Sequence, residues 1–437
     1  MLRFGSISRS KAIVCKQGEV STSPLVLLNK LIIACYMRLI IVLFIMNTMI
    51  ACQHAGKPET TAVKGTFAYD RQFIEKYDTS SLTITNGDAH VLISAKYQGK
   101  VFTSTAAGDS GHSFGWINYR AFEGPLDPHM NAYGGENRFW LGPEGGIYSL
   151  FFPKGAKMVF ENWKTPAAFD NENWQFLSKD SDKAVLFKEM NFRNYAGTDL
   201  HLNVKRTISI LSKKTVESLL NINIDQTIKL VAYQTENAVT NTGQQDWNET
   251  TGMPCIWILD MFPPSDKTTV VIPCKQGEGS PATTNYFGEI PPDRIKIVDS
   301  TVFFKADGKQ RGKMGIHPDR AKDIAGSYDA ENKVLTIIQY SLEPSAKYLN
   351  QEWRTDKPVF SGDAMNAYND GPLSDGKQMG PFYELESVSS ALFLPISHTA
   401  YHNHAVYHFT GSEEQLGIIS EKLLGVSIQT IKQTFLN

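Results

Sequence analysis

Two acids, Glu384 and Glu386, flank Leu385 inside an otherwise apolar segment late in the chain. On a strand, residues i and i+2 face one side, so both carboxylates enter one site or both face water. Two carboxylates held close together push one pKa upward, which suits general acid and base work. The alternative is the polar outer face of an edge strand. The densest group of imidazoles comes next: His398, His402, His404 and His408 are four of the ten histidines. His402 and His404 would share a strand face and supply a general acid or two metal ligands. No third ligand accompanies them, so neither a metal nor another cofactor is expected, and structural or surface histidines are the competing reading.

Earlier in the chain, Asn137 and Arg138 follow Gly134-Gly135-Glu136 and precede Phe139-Trp140. Glycines let backbone approach a ligand closely, and a guanidinium presents several fixed donors, suited to paired hydroxyls or a carboxylate. An arginine bridging loop carbonyls is the structural alternative. Glu144, in Gly-Pro-Glu-Gly-Gly, sets a carboxylate on a turn, facing either a ligand or solvent. Indole faces stack on the apolar faces of sugar rings when two or three share a cleft, and otherwise pack a core. The seven candidates are Trp116, Trp140, Trp163, Trp174, Trp247, Trp257 and Trp353. No serine nucleophile elbow, phosphate loop or dinucleotide fingerprint is present.

The elements that must position these groups read mainly as strands. Leu200, Leu202, Val204, Ile208 and Ile210 alternate with polar residues, the pattern of a long strand with one buried face. Further strands are expected at 90–97, 101–105, 148–152, 184–188, 229–235, 256–261, 269–272, 301–304, 334–340 and 383–390. Turn signals such as Gln98-Gly99 and Asp370-Gly371 separate them. Helical patterns sit at the ends: Phe73, Ile74 and Tyr77 share a face, and Ser412-Glu413-Glu414-Gln415 has capping-box form ahead of Leu416, Ile419 and Leu423. The expected fold is mostly β, a large antiparallel two-sheet β-sandwich with short terminal helices. No linker divides residues 66–437, which read as a single domain.

The 437 residues carry 43 basic and 45 acidic side chains, a formal charge of −2, and 42% are hydrophobic. There is no basic excess to neutralise phosphates, so nucleic acid is not an expected partner. Met37-Arg38 leads into an apolar run ending at Met49-Ile50-Ala51-Cys52, which reads as a secretory signal over residues 37–52 with a bacterial lipobox. Cys52 would carry the lipid, and residues 1–36 would be a misassigned upstream extension or an unusual leader. A single transmembrane helix over 31–51 is the alternative. Residues 53–65 are polar and aperiodic, as a flexible tether would be. The expected location is the bacterial cell envelope, with the membrane reached through the lipid anchor. Cys255 and Cys274 are the thiols of the body and would be either a disulfide or two buried small residues.

Three stretches resemble an uncharacterised family of envelope lipoproteins from Bacteroides-type bacteria: Tyr97 to Ala106, Tyr133 to Gly146 and Gly380 to Ser387. That family is in turn similar to the galactose mutarotase-like supersandwich, shared by aldose epimerases and domains of polysaccharide-degrading enzymes. The resemblance implies a carbohydrate or glycan ligand, its site lined by Asn137 and Arg138, to which the residues themselves add Trp140 and Glu144 as candidate binding groups. It places the late catalytic acid at Glu384 or Glu386; His402 and His404 are candidates for acid and base roles on their own spacing, not on the resemblance. The sequence departs from the epimerases at both of their histidines: Thr240-Asn241 is followed by Thr242, and Met253-Pro254-Cys255-Ile256-Trp257 holds no imidazole. The usual mutarotation mechanism therefore lacks its proton donor. Epimerase, lyase or hydrolase chemistry on a sugar stays open beside non-catalytic glycan binding and a structural role in the envelope.

Overall fold

A computed structural model describes residues 62–436 and, ahead of them, residues 23–25, 28–29 and 31–40, the last of these helical. The apolar run beyond residue 40, Cys52 and most of the tether lie outside the described residues. Ala62–Asn437 form a compact unit of their own.

Alternating apolar residues along most of this unit leave the backbone little choice but to pair. The strands in chain order are β1 (Leu82–Asn86), β2 (Ala89–Ser94), β3 (Lys100–Thr105), β4 (Arg138–Gly142), β5 (Gln175–Lys179), β6 (Lys183–Arg193), β7 (Asp199–Ile210), β8 (Lys229–Asn241), β9 (Cys255–Phe262) and β10 (Thr268–Pro273). They continue as β11 (Ala282–Thr283), β12 (Ile295–Val298), β13 (Thr301–Lys305), β14 (Gly312–Ile316), β15 (Ile324–Asp329), β16 (Val334–Tyr340), β17 (Met365–Asn369), β18 (Tyr383–Val388) and β19 (Thr399–Thr410). A ten-stranded sheet runs β12-β13-β10-β15-β16-β19-β8-β7-β6-β5, and a six-stranded sheet runs β11-β14-β17-β18-β9-β4. Pairing within both sheets is antiparallel, as in β18 on β9, where Glu384 lies opposite Met261. A small third sheet, β1-β2-β3, completes the fold.

The expected mostly β, two-sheet sandwich is therefore the observed one. Val204, Ile208, Tyr233 and Val406 of the large sheet share one core with Phe139, Leu141, Ile258 and Leu385 of the smaller sheet. The far face of the large sheet is covered by the helices Glu413–Leu424 and Ile428–Gln433, with Leu416, Ile419 and Ile431 on Leu335, Ile337 and Phe409. Ser412 caps the first of these by accepting from the Gln415 amide, as the capping pattern predicts. The short helix Lys213–Leu220 interrupts the β-rich middle.

One expected strand is absent. Residues 148–152 form a buried loop whose amides bond locally, Ser149 N–H to the Gly146 carbonyl and Leu150 N–H to that of Pro143. A short apolar run bounded by turns reads the same whether it pairs in a sheet or packs as loop. Cys255 and Cys274 are both free and buried, not joined.

Candidate functional site

The six-stranded sheet positions the site through strict alternation. Along β4, Phe139 and Leu141 enter the core, so Arg138 and Trp140 face outward. Along β9 the outward set is Trp257, Leu259 and Met261. Along β18, Tyr383 and Leu385 turn inward, and Glu384 and Glu386 turn outward. The outward residues are nonetheless buried, because loops roof this face of the sheet and leave a cleft between roof and strands. Its floor is a lobe of about 200 Å³ around Arg138 and Glu384, continuous with a larger lobe of about 820 Å³ under the loops.

Charge on the floor is paired. Arg138 Nη2 donates to Glu384 Oε1, and the Arg138 guanidinium lies 5.2 Å from the Trp140 ring centroid. Glu386 Oε2 accepts from Lys313 Nζ at 2.8 Å and from Trp257 Nε1 at 2.9 Å. Removal from water pushes the Glu384 carboxyl up to about 8 against the opposing charge of Arg138. Burial also raises Glu144, with Lys313 opposing the shift. Lys313 itself is raised: desolvation works against its charge, and Glu386 and Glu144 outweigh it. Beside them, Tyr286 O–H donates to Asp363 at 2.5 Å, and burial lifts the Asp363 carboxyl to about 6.

Among the described residues three buried polar atoms on this face have no partner, Arg138 Nε, Trp140 Nε1 and Glu386 Oε1, and the Trp163 indole bonds to Glu144. Leaving a buried polar group unsatisfied costs about 1–3 kcal/mol, and the three atoms have almost no accessible surface. Trp140, Trp163, Trp257 and Trp353 wall the cleft, and Trp116, Trp174 and Trp247 pack within the protein.

The structure thus brings Arg138, Trp140, Glu144 and Glu384 to one cleft, with Glu386 on the same strand face but fully buried behind Lys313 and Trp257. It separates three residues from them. Asn137 points into the sandwich, because neighbours on a strand face opposite sides; its Nδ2 donates to Asp260 Oδ1 at 2.6 Å and its Oδ1 accepts from Arg206. His402 and His404 do share a strand face, but it is the inner one. His404 Nε2 lies 2.7 Å from Asp260 Oδ2, and the Ser387 hydroxyl lies 2.8 Å from both His404 Nδ1 and His402 Nε2. Ser387, His404 and Asp260 have the order of a nucleophilic triad, yet Ser387 is fully buried and its hydroxyl is shared by two imidazoles. No acid or base role toward the cleft is open to these histidines. His408 is also internal, 3.1 Å from Glu136 Oε1, and His398 is exposed.

Lys313, Tyr286 and Arg311 are among the cleft residues that the sequence did not point to. Lys313 stands alone among apolar neighbours in a short strand, and the one available signal was a lysine inside an otherwise buried run.

An antiparallel two-sheet sandwich with an aromatic-walled, acid-bearing cleft on the outer face of the smaller sheet defines the class of protein. The chain belongs to a family of unknown function, DUF6786, whose model matches residues 65–435. No curated protein matches the chain in sequence. Among solved structures it is similar to a putative aldose 1-epimerase from Escherichia coli K12, at 14% identity over 75% of this chain and 98% of that one, with a TM-score of 0.45. A protein of Synechocystis sp. PCC 6803 is similar at 12% identity over 76% and 96%, TM-score 0.46. A galactose mutarotase related enzyme from Lactobacillus acidophilus is similar at 8% identity over 76% and 98%, TM-score 0.41.

Proposed function

We propose that the protein binds a carbohydrate in this cleft and acts on it by acid and base chemistry, held at the bacterial cell envelope by a lipid on Cys52. The observation that carries the reading is the floor of the cleft, where Arg138 and Glu384 stand among the indole rings of Trp140, Trp163, Trp257 and Trp353. A sugar ring offers the complement: apolar faces for the indoles and hydroxyls at its edge for the polar atoms. Catalysis is supported by Glu384, a carboxyl on the floor of the cleft beside Arg138. Glu384, with its raised pKa, keeps a proton to give at neutral pH. Epimerisation, elimination and hydrolysis all use such an acid.

A second reading, binding without turnover, is favoured by one feature: Arg138 with Glu384 and Lys313 with Glu386 are already tied to each other. A glycan-panel thermal-shift screen on the purified chain, followed by product analysis on each hit, separates the readings. A ligand that binds the folded form raises its Tm. Turnover of the hit, reduced about 100-fold or more by Glu384→Gln with binding kept, is the expected result. Binding with no product leaves the second reading, and no shift anywhere in the panel overturns both. For the anchor, labelled palmitate should enter the wild type and not Cys52→Ala.

A further inference from the structure

We infer that the cleft selects a sugar bearing a carboxylate, a uronic acid rather than a neutral hexose, and that Arg311 is the residue that holds this carboxylate. The inference rests on the carbohydrate reading above and narrows it to one class of sugar. Arg311 stands two residues ahead of Lys313, so the alternation that sets Lys313 on the roofed face of the smaller sheet sets Arg311 there as well. Both side chains line the floor lobe and the larger lobe.

Among the described residues, the lysine and arginine side chains lining the two lobes are Arg138, Arg311, Lys313 and Arg354, and all but Arg311 are answered by an acid. Arg138 meets Glu384, Lys313 Nζ lies 2.8 Å from Glu386 Oε2, and Arg354 Nε donates to Asp356 Oδ1 at 2.6 Å. The contacts of Arg311 fix its guanidinium without neutralising it: Cζ lies 3.8 Å from the Phe287 ring centroid, and Nε donates to the Tyr368 hydroxyl at 3.3 Å. That hydroxyl donates in turn to Asp370 Oδ1 at 3.0 Å, and Asp370 Oδ2 accepts from the Gly380 amide, so this acid is spent elsewhere. The acids of the larger lobe are engaged as well: Asp127 Oδ1 accepts from the His129 and Met130 amides, and Glu352 Oε1 lies 3.6 Å from Lys357 Nζ.

One face and one edge of the Arg311 plane are thus occupied, and its two terminal nitrogens make no hydrogen bond to the protein among the described residues. Those nitrogens form the fork that pairs with both oxygens of a carboxylate. A guanidinium already held on a ring loses less freedom when it binds than a loose one. A neutral sugar laid against Arg311 would strip water from a charge and return only a hydroxyl, whereas a carboxylate returns the opposite charge and hydrogen bonds about twice as strong. The charge of the floor agrees. With Glu384 holding a proton at neutral pH, Arg138, Arg311 and Lys313 outnumber Glu144 and the Glu386 behind it, which favours an anionic ligand.

Titration calorimetry on the full chain tests this with sugars that differ only at C6: glucose and glucuronate, galactose and galacturonate, mannose and mannuronate, with glucose 6-sulfate and galactose 6-sulfate beside them. One uronate is expected to bind at least about tenfold more tightly than its neutral partner. Arg311→Ala should remove most of that preference and leave the neutral sugar within about twofold, and Arg311→Lys, which keeps the charge without the fork, should restore part of it. Arg354→Ala, at an arginine of the same cleft that is already paired, should leave the preference as it was. Arg311 is exposed, so an unchanged Tm will show that its variants fold. A neutral sugar that binds as well as its uronate, a preference indifferent to Arg311→Ala or lost equally in Arg354→Ala, or a 6-sulfate that binds more tightly than the uronate overturns the inference while the carbohydrate reading stands. No binding by any sugar overturns that reading, and the inference with it.

Discussion

Arg138 and Glu384 meet across 246 residues of sequence, and each is less than a tenth exposed. Breaking a buried ion pair by removing one partner costs about 3–5 kcal/mol, because the other charge is left in a low-dielectric site. Arg138→Ala is therefore expected to lose stability on that scale in urea unfolding at pH 9, and less at pH 5, where Glu384 takes up a proton. Glu384→Gln tests the same site from the other side, since glutamine keeps an acceptor for the guanidinium. The folded-state pKa of Glu384 stands near 8 against an ordinary 4.5, so its proton favours the folded form below 4.5, and that advantage is lost as pH rises through 8. Wild type should lose stability relative to Glu384→Gln across that window, and parallel Tm curves would refute the shift. The two glutamates were legible because one i, i+2 relation settles that they face together. Asn137 was misread because Asn-Arg was treated as a unit, although adjacent strand residues diverge.

At the scale of elements, β4 can deliver Arg138 only if the turn before it closes. Gly134 sits at φ +79°, and a Cβ there would lie 2.3 Å from the Trp116 carbonyl oxygen. That oxygen is fixed, since it accepts from the Gly135 amide at 2.8 Å. Gly155, at φ +75° with nothing within 4 Å of its Cβ position, shares the backbone strain without the clash. Gly155→Ala should cost about 1–2 kcal/mol, the penalty of a left-handed residue, and Gly134→Ala distinctly more, with weaker ligand binding as well. Equal losses of Tm in the two variants would show that the close approach to Trp116 is unimportant. Alternation and capping made most strands and the Glu413–Leu424 helix readable, because both are relations between residues two to four apart. Residues 148–152 were not readable, because what separates a strand from a buried loop is whether a partner strand arrives.

For the molecule as a whole, the two sheets are joined by polar groups as well as by the apolar core. Arg206, Asn137, Asp260, His404, Ser387 and His402 form one hydrogen-bonded chain between them. Burial, with the neighbouring His404, drives the His402 imidazole down to about 3 from an ordinary 6.5. The unfolded chain then binds a proton that the folded one refuses, so this contribution to stability is present above 6.5 and is lost as pH falls toward 3. The slope approaches about 1.4 kcal/mol per pH unit for one group. His402→Gln should flatten the fall of Tm between pH 6.5 and 4 relative to wild type, and an unaltered slope would place the acid sensitivity elsewhere.

The amino-acid sequence by itself determined that this chain pairs into antiparallel sheets, where the helix after Ser412 begins, and that Glu384 and Glu386 share a side. Each of these follows from repulsion, solvation and hydrogen bonding among near neighbours. Only the tertiary structure decided which side became the cleft and which the seam between sheets. That choice sent Glu386 outward to Lys313, sent Ser387 inward to the histidines, and set Arg138 against an acid from the far end of the chain. Such pairings depend on how distant strands stack, and no local pattern of residue types records it.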